Sequence, residues 1–199
     1  MIQYIRSLRW ADYLFYVLTD PRKLMKTIET SESRIIPGGI FIVLFSALFE
    51  ILTVSLLGAE TQYFYYKVTY GVIFLFLIYI IEILMISSLV DLFCQFSGYG
   101  GKIRGILNLV CLAQFPRLLL LPAVYIFKVF HFAPVFFYAL FSIMLLLWTA
   151  LIAVQGISEM HGMIFSRAFL VYLFPFAFYG LISFLLTMLI MVNFFGYFS

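Results

Sequence analysis

The sequence predicts an all-α integral membrane protein, a bundle of five transmembrane helices behind a short amphipathic N-terminal region. Three observations lead there. Of the 199 residues, 65% are hydrophobic and 11% are charged, against about a quarter charged in ordinary soluble domains. Five apolar stretches each exceed the roughly 18 residues needed to cross a bilayer. None of them alternates apolar and polar residues as a strand would, and lipid offers no partner to an open strand edge.

Residues 1–34 form the expected cytoplasmic segment, and residues 35–199 the transmembrane domain. Met1 to Leu18 is rich in Ile, Leu, Tyr, Trp and Phe, with two arginines. Arg6, Arg9, Asp12 and Asp20 scatter charge through it, so no cleavable signal peptide is expected and the first span serves as its own insertion signal. Thr19-Asp20-Pro21 announces a second short helix, a cap followed by proline at the first helical position. Its Arg22, Lys23 and Lys26 set three positive charges beside the cytoplasmic leaflet, each worth about 1 kcal/mol against anionic lipid. They read either as a membrane-surface or partner-docking site or as an ordinary basic flank.

The spans are expected over 36–57, 69–96, 103–127, 134–154 and 168–195. Proline marks a start at Pro37 and at Pro134, where a missing amide is harmless. The third span is interrupted by Gln114, Pro116, Arg117 and Pro122, which predicts a kink or break. A model with three or four spans, the third segment being re-entrant at Pro116, is the rival topology. Pro175 and Gly180 lie inside the fifth span.

Orientation follows from the basic residues. Arg6, Arg9, Arg22, Lys23, Lys26, Arg34, Lys102, Arg104 and Arg167 fall on the side of the N-terminus, whereas the opposite loops carry Lys67 and Lys128. The N-terminus is therefore expected in the cytoplasm and, after an odd number of spans, the C-terminus outside.

Little in the chain suggests chemistry. Gly98 to Gly101 lacks the lysine and the strand-to-helix setting of a nucleotide loop and reads as a turn. With Gly105, Gly101 makes one small-xxx-small pair. Glu159 and His161, expected on an inner loop, have no third metal ligand in sequence reach. Gly156-Ile157-Ser158-Glu159 would place its serine at the surface, with no histidine on a later span. Cys94 and Cys111 lie on membrane segments and read as packing residues. Neither an enzyme nor a cofactor nor a nucleic-acid partner is expected. Aromatic residues, such as Tyr63 to Tyr66 and Phe194 to Phe198, are lipid-facing or interfacial by default.

The buried polar set carries more information. Counting 1.5 Å per residue from the span ends puts Glu50, Glu82 and Arg117 at roughly 20 to 22 Å from the inner face, in the middle to outer half of a core roughly 30 Å thick. A charge there costs on the order of 3 kcal/mol or more unless it faces protein, water or a counter-charge. Together with Gln114, and with Asp91 nearer the inner face and on the opposite side of its helix from Glu82, these residues form an expected buried polar cluster. Three readings stay open: a structural salt bridge joining the first three spans, a proton or cation site on the surplus carboxylate, and a polar groove for a lipid headgroup or a partner's helix.

Several short patterns point to a family. The lead-in Asp20-Pro21-Arg22-Lys23-Leu24, the turn Gly98-Tyr99-Gly100-Gly101, the break Ala113-Gln114-Phe115-Pro116 and the entry Ser166-Arg167-Ala168 together resemble the Yip-domain (Ypt-interacting) proteins, specifically their compact bacterial members. The resemblance implies five spans and a cytoplasmic N-terminal segment. In eukaryotic members it implies partnership with Rab-type GTPases and vesicle traffic, but their aspartate-leucine-tyrosine-glycine-proline signature is absent here, and GTPase binding is not carried over. For some bacterial relatives it implies a place beside export ATPases or in resistance to secreted toxins, and for most it implies no particular biochemical role.

The function expected from the whole is that of a non-catalytic adaptor or accessory subunit in the bacterial cytoplasmic membrane. Its partners would be the lipid bilayer and another membrane protein or transporter subunit, with homo-oligomerisation left open. The alternative is a small transporter or ion-conducting protein using Glu50, Glu82 and Arg117. That reading calls for repeated broken helices, and no repeat is evident.

Overall fold

The structure is a computed structural model describing residues 10–58, 64–131 and 133–196. It is about 90% helical, with no strand among the described residues. In chain order the helices are α1 (Trp10–Thr19), α2 (Pro21–Leu57), α3 (Phe64–Phe96), α4 (Ile103–Ala113), a 3₁₀ turn (Phe115–Leu119), α5 (Leu120–Val129), α6 (Pro134–His161) and α7 (Phe165–Gly196). Five stretches are long and apolar enough to cross a membrane: Pro37–Leu57, Val68–Phe96, Ile103–Val129, Pro134–His161 and Phe165–Met188. The expected fold class is thus the observed one. Expectations for residues 1–9, for Tyr63 and for residues 197–199 lie outside the described residues.

The first departure from expectation is α2. Its start is as predicted: Pro21 opens the helix and the Lys23 amide donates to Asp20 Oδ1 at 3.3 Å. The helix runs for 37 residues in all, straight through Pro37, so the expected short helix and the first span are one element crossing residues 34 and 35. An interior proline costs roughly 3 kcal/mol in an isolated helix. Here α2 is the central helix, touching α3, α4, α5 and α6, and that packing outweighs the loss. Two residues beyond the proline, a Cβ on Gly39 would stand 2.8 Å from the Cys111 Cβ. Only glycine lets α2 and α4 lie this close.

The second departure is the end of α6, which runs to His161 rather than stopping near Val154. Gln155, Ser158 and Glu159 look like a loop by polarity, yet they form the last turns of a helix leaving the apolar layer. Glu159 and His161 therefore sit on a helix, not on a loop. Gly162, at φ 62°, closes it in the left-handed conformation that glycine adopts without cost. The Met163 amide reaches back to Ser158 O at 3.0 Å, and the Ser158 hydroxyl donates to Met163 O at 2.7 Å, so the end is capped by its own chain.

The break in the third span falls where proline predicts it. The amide-less Pro116 cannot continue the α4 ladder, and the chain tightens into the 3₁₀ turn, with the Arg117 amide bonded to Gln114 O at 3.0 Å, before α5 resumes. The main core combines Val43 and Ala47 of α2, Ile83 and Val90 of α3, Leu109 and Leu112 of α4, Ile152 and Ile157 of α6 and Val171 of α7. Val17 and Met25 belong to the same core, so α1 and the start of α2 pack onto the bundle. The outermost helix is α7, which touches α3 and α6. From Gly180 to Met188 all its residues are exposed, so this stretch packs against no other described helix.

Candidate functional site

The polar centre is built from three helices and turns on a residue that the depth count overlooked. The Tyr79 hydroxyl of α3 donates to Glu50 Oε2 of α2. Over the face of the same ring, the Arg117 guanidinium of the 3₁₀ turn lies 5.3 Å from the ring centroid, within the roughly 6 Å over which a cation is drawn to an aromatic face. Among the described residues neither Glu50 nor Glu82 reaches Arg117 at salt-bridge distance. Tyrosine touches both charges, offering its π-face to the cation and its hydroxyl to the carboxylate. The linkage ties the first three spans together.

Glu50 and Arg117 also face one cavity of about 140 Å³, together with Leu120, Tyr138, Ser142, Leu145 and Leu146. The Ser142 hydroxyl is buried there, on the same cavity wall as the Tyr138 phenol. A polar hollow of this size has room for a few water molecules.

The other members of the expected cluster lie elsewhere. Glu82 lies in a lateral groove between α3 and α7, of about 390 Å³, whose further lining is Ile78, Ile81, Met85, Ile86, Phe176 and Tyr179. Asp91 is buried at the turn between α3 and α4, where Oδ1 accepts the Lys102 amide at 2.7 Å and Oδ2 accepts Gln95 Nε2 at 2.7 Å. It caps the start of α4 from a neighbouring helix, a carboxylate against a helix N-terminus. Gln114 sits at the break, its backbone oxygen accepting the Ser46 hydroxyl at 3.4 Å and its side-chain Oε1 buried without a partner. The five residues thus fall in four places: Asp91 was counted to a different depth, and for Glu82 equal depth does not fix the direction in which a side chain leaves its helix.

Two lysines close helix ends. Lys102 Nζ donates to Met160 O at 2.8 Å and Lys128 Nζ to Leu56 O, each placing a cation at the negative end of a helix dipole, of α6 and α2 respectively. With the Tyr99 ring edge-on to His161 at 6.1 Å, the Gly98–Lys102 turn is clasped to α6. Arg22 and Lys23 are exposed, and Lys23 Nζ lies 3.6 Å from Asp20 Oδ2. The Lys26 side chain lies outside the described ones. Cys94 and Cys111 are both buried and free. Among the described residues no three His, Cys, Asp or Glu side chains gather as metal ligands.

Tyr79, Tyr138 and Ser142 were not singled out from the sequence. The signal for Tyr79 was its position: a tyrosine deep inside a span, rather than at the interface, needs a partner for its hydroxyl.

Five spans, the third broken at a proline and tied to the first two through a charged aromatic link, define a polytopic α-helical integral membrane protein. The chain belongs to the Yip1 domain family, whose sequence model, described as the Yip1 domain, matches residues 15–192. No curated protein and no solved structure matches it.

Proposed function

We propose that this chain works without catalysis as a membrane-embedded adaptor or accessory subunit of an export, transport or trafficking machinery, in a bacterial cytoplasmic membrane. The observation that carries this reading is where its hollows open. The groove beside Glu82, and a second of about 490 Å³ lined by Phe49, Leu52, Leu56, Leu121, Pro122 and Tyr125, both open sideways with almost wholly apolar walls. Such surfaces suit lipid or another protein's helix. The polar cavity is much smaller, and the charges beside it are engaged through Tyr79. Residues 1–34 would face the cytoplasm, with Arg22, Lys23 and Lys26 as the contact for anionic lipid or an acidic partner, and the C-terminus would lie outside, as the basic-residue bias supports.

The rival transporter reading is separated by flux. Reconstituted alone into vesicles with an imposed pH gradient, the chain is expected to collapse that gradient no faster than empty vesicles do. A leak abolished by Glu50→Gln or Arg117→Leu would favour transport and count against the adaptor.

A further inference from the structure

We propose that the groove between α3 and α7 receives a transmembrane helix of another protein that carries a lysine or arginine near its own midpoint, paired there with Glu82. The inference rests on the adaptor reading and names the partner's chemistry.

Four observations support it. Among the residues lining this groove, Glu82 alone is charged; Ile78, Ile81, Met85 and Phe176 make the walls apolar. In the span Val68–Phe96, Glu82 is 14 residues from either end, about 21 Å at 1.5 Å per residue. A lipid headgroup amine stays at the surface of a core whose half-thickness is about 15 Å, so a cation reaching Glu82 must come on another spanning segment. Among the described residues Glu82 makes no hydrogen bond or salt bridge, and Arg117, the cation counted to the same depth, lies against the Tyr79 ring instead. Finally, α7 is exposed at every residue from Gly180 to Met188, immediately beyond the groove-lining Phe176 and Tyr179. That mostly apolar stretch leaves room for an incoming helix to pack beside the groove.

A second copy of this chain is the less suitable occupant. An isologous contact through this face would set Glu82 against Glu82, while Lys102 and Lys128 lie at helix ends. In lipid, helices associate through close packing and through polar pairs that hydrocarbon leaves unsatisfied, and an acidic groove selects a basic helix.

The test uses the full chain in phosphatidylcholine vesicles, labelled on a cysteine at the exposed Ser97, and acceptor-labelled synthetic leucine-alanine helices of about 20 residues. One helix carries lysine at its centre, one leucine at its centre, and one lysine two turns from the centre. Energy transfer should show the central-lysine helix binding about tenfold more tightly than the leucine helix. Glu82→Gln should erase that preference while leaving thermal stability near wild type, and Ile81→Trp, which fills the groove without touching the charge, should weaken binding of the central-lysine helix. The displaced lysine should bind no better than leucine. Equal binding of the central-lysine and leucine helices, or an unchanged preference in Glu82→Gln, overturns the proposal. So does transfer between donor- and acceptor-labelled copies of the chain that Glu82→Gln abolishes, since the occupant would then be a second copy. If the peptides fail but a stoichiometric partner is retained in native membranes by the Ile81→Trp variant, the groove is wrong and the adaptor reading stands. If native membranes yield no partner, the adaptor reading falls whatever the peptides do.

Discussion

Tyr79→Phe is the sharpest probe of the polar centre, because it deletes one oxygen and leaves the ring under Arg117. The lost interaction is the hydroxyl donated to Glu50. A hydrogen bond to a charged group contributes about 1.5–3 kcal/mol, and Glu50 is only half-buried, which favours the lower part of that range, about 1.5–2 kcal/mol. For a chain of this size each kcal/mol moves the melting temperature by about 2–4 °C, so a drop of about 3–8 °C is expected. Intrinsic fluorescence of the purified protein during a thermal ramp reads it. In a double-mutant cycle with Glu50→Gln, most of the loss should be shared between the two sites. Tyr79→Leu, which also removes the ring 5.3 Å from the guanidinium, should cost about 1–2 kcal/mol more, and much of that increment should vanish in an Arg117→Leu background. A Tyr79→Phe protein melting within about 1 °C of wild type, or a cycle without coupling, would refute the linkage.

Three further outcomes follow from the packing and the caps. Gly39→Ala drives a Cβ into Cys111 and should destabilise by about 1–3 kcal/mol; Cys111→Gly should restore part of that loss and Cys111→Ala should not, since alanine keeps the offending Cβ. Asp91→Asn should weaken the cap on α4 by about 1 kcal/mol and speed hydrogen exchange at the Lys102 amide, while exchange in the middle of α3 stays unchanged. Replacing Arg22, Lys23 and Lys26 with glutamine should reduce retention of anionic lipid on the detergent-purified protein, by about 1 kcal/mol per charge; native mass spectra with unchanged lipid occupancy would mark them as topological flanks.

The fold was legible where lipid makes the rule strict. A span must satisfy its backbone internally, so long apolar runs could only be helices, and Pro116 in such a run had to interrupt it. The cap at Asp20 and Pro21 was equally local. Two boundaries were not legible. Proline at the first turn of a helix and proline inside one read alike in sequence, and only the helices around α2 decided for Pro37. The end of α6 was hidden because a helix emerging into water turns polar without ending. The polar centre was half legible. Depth along an axis can be counted, which brought Glu50 and Arg117 to one level, but rotation about the axis cannot be read once lipid and protein faces are both apolar. Hence Glu82 was grouped with a pair to which it makes no hydrogen bond or salt bridge, and Tyr79, which links that pair, passed as one more membrane aromatic.

The most direct measurement is the mass of the particle that the chain occupies in its own membrane. Extracted with the surrounding lipid from native membranes and weighed by native mass spectrometry, the chain should appear with another membrane protein at a fixed ratio, and Ile81→Trp should release that companion while the chain itself stays folded. The chain appearing only at its own mass or multiples of it, in wild type and variant alike, would contradict an adaptor role.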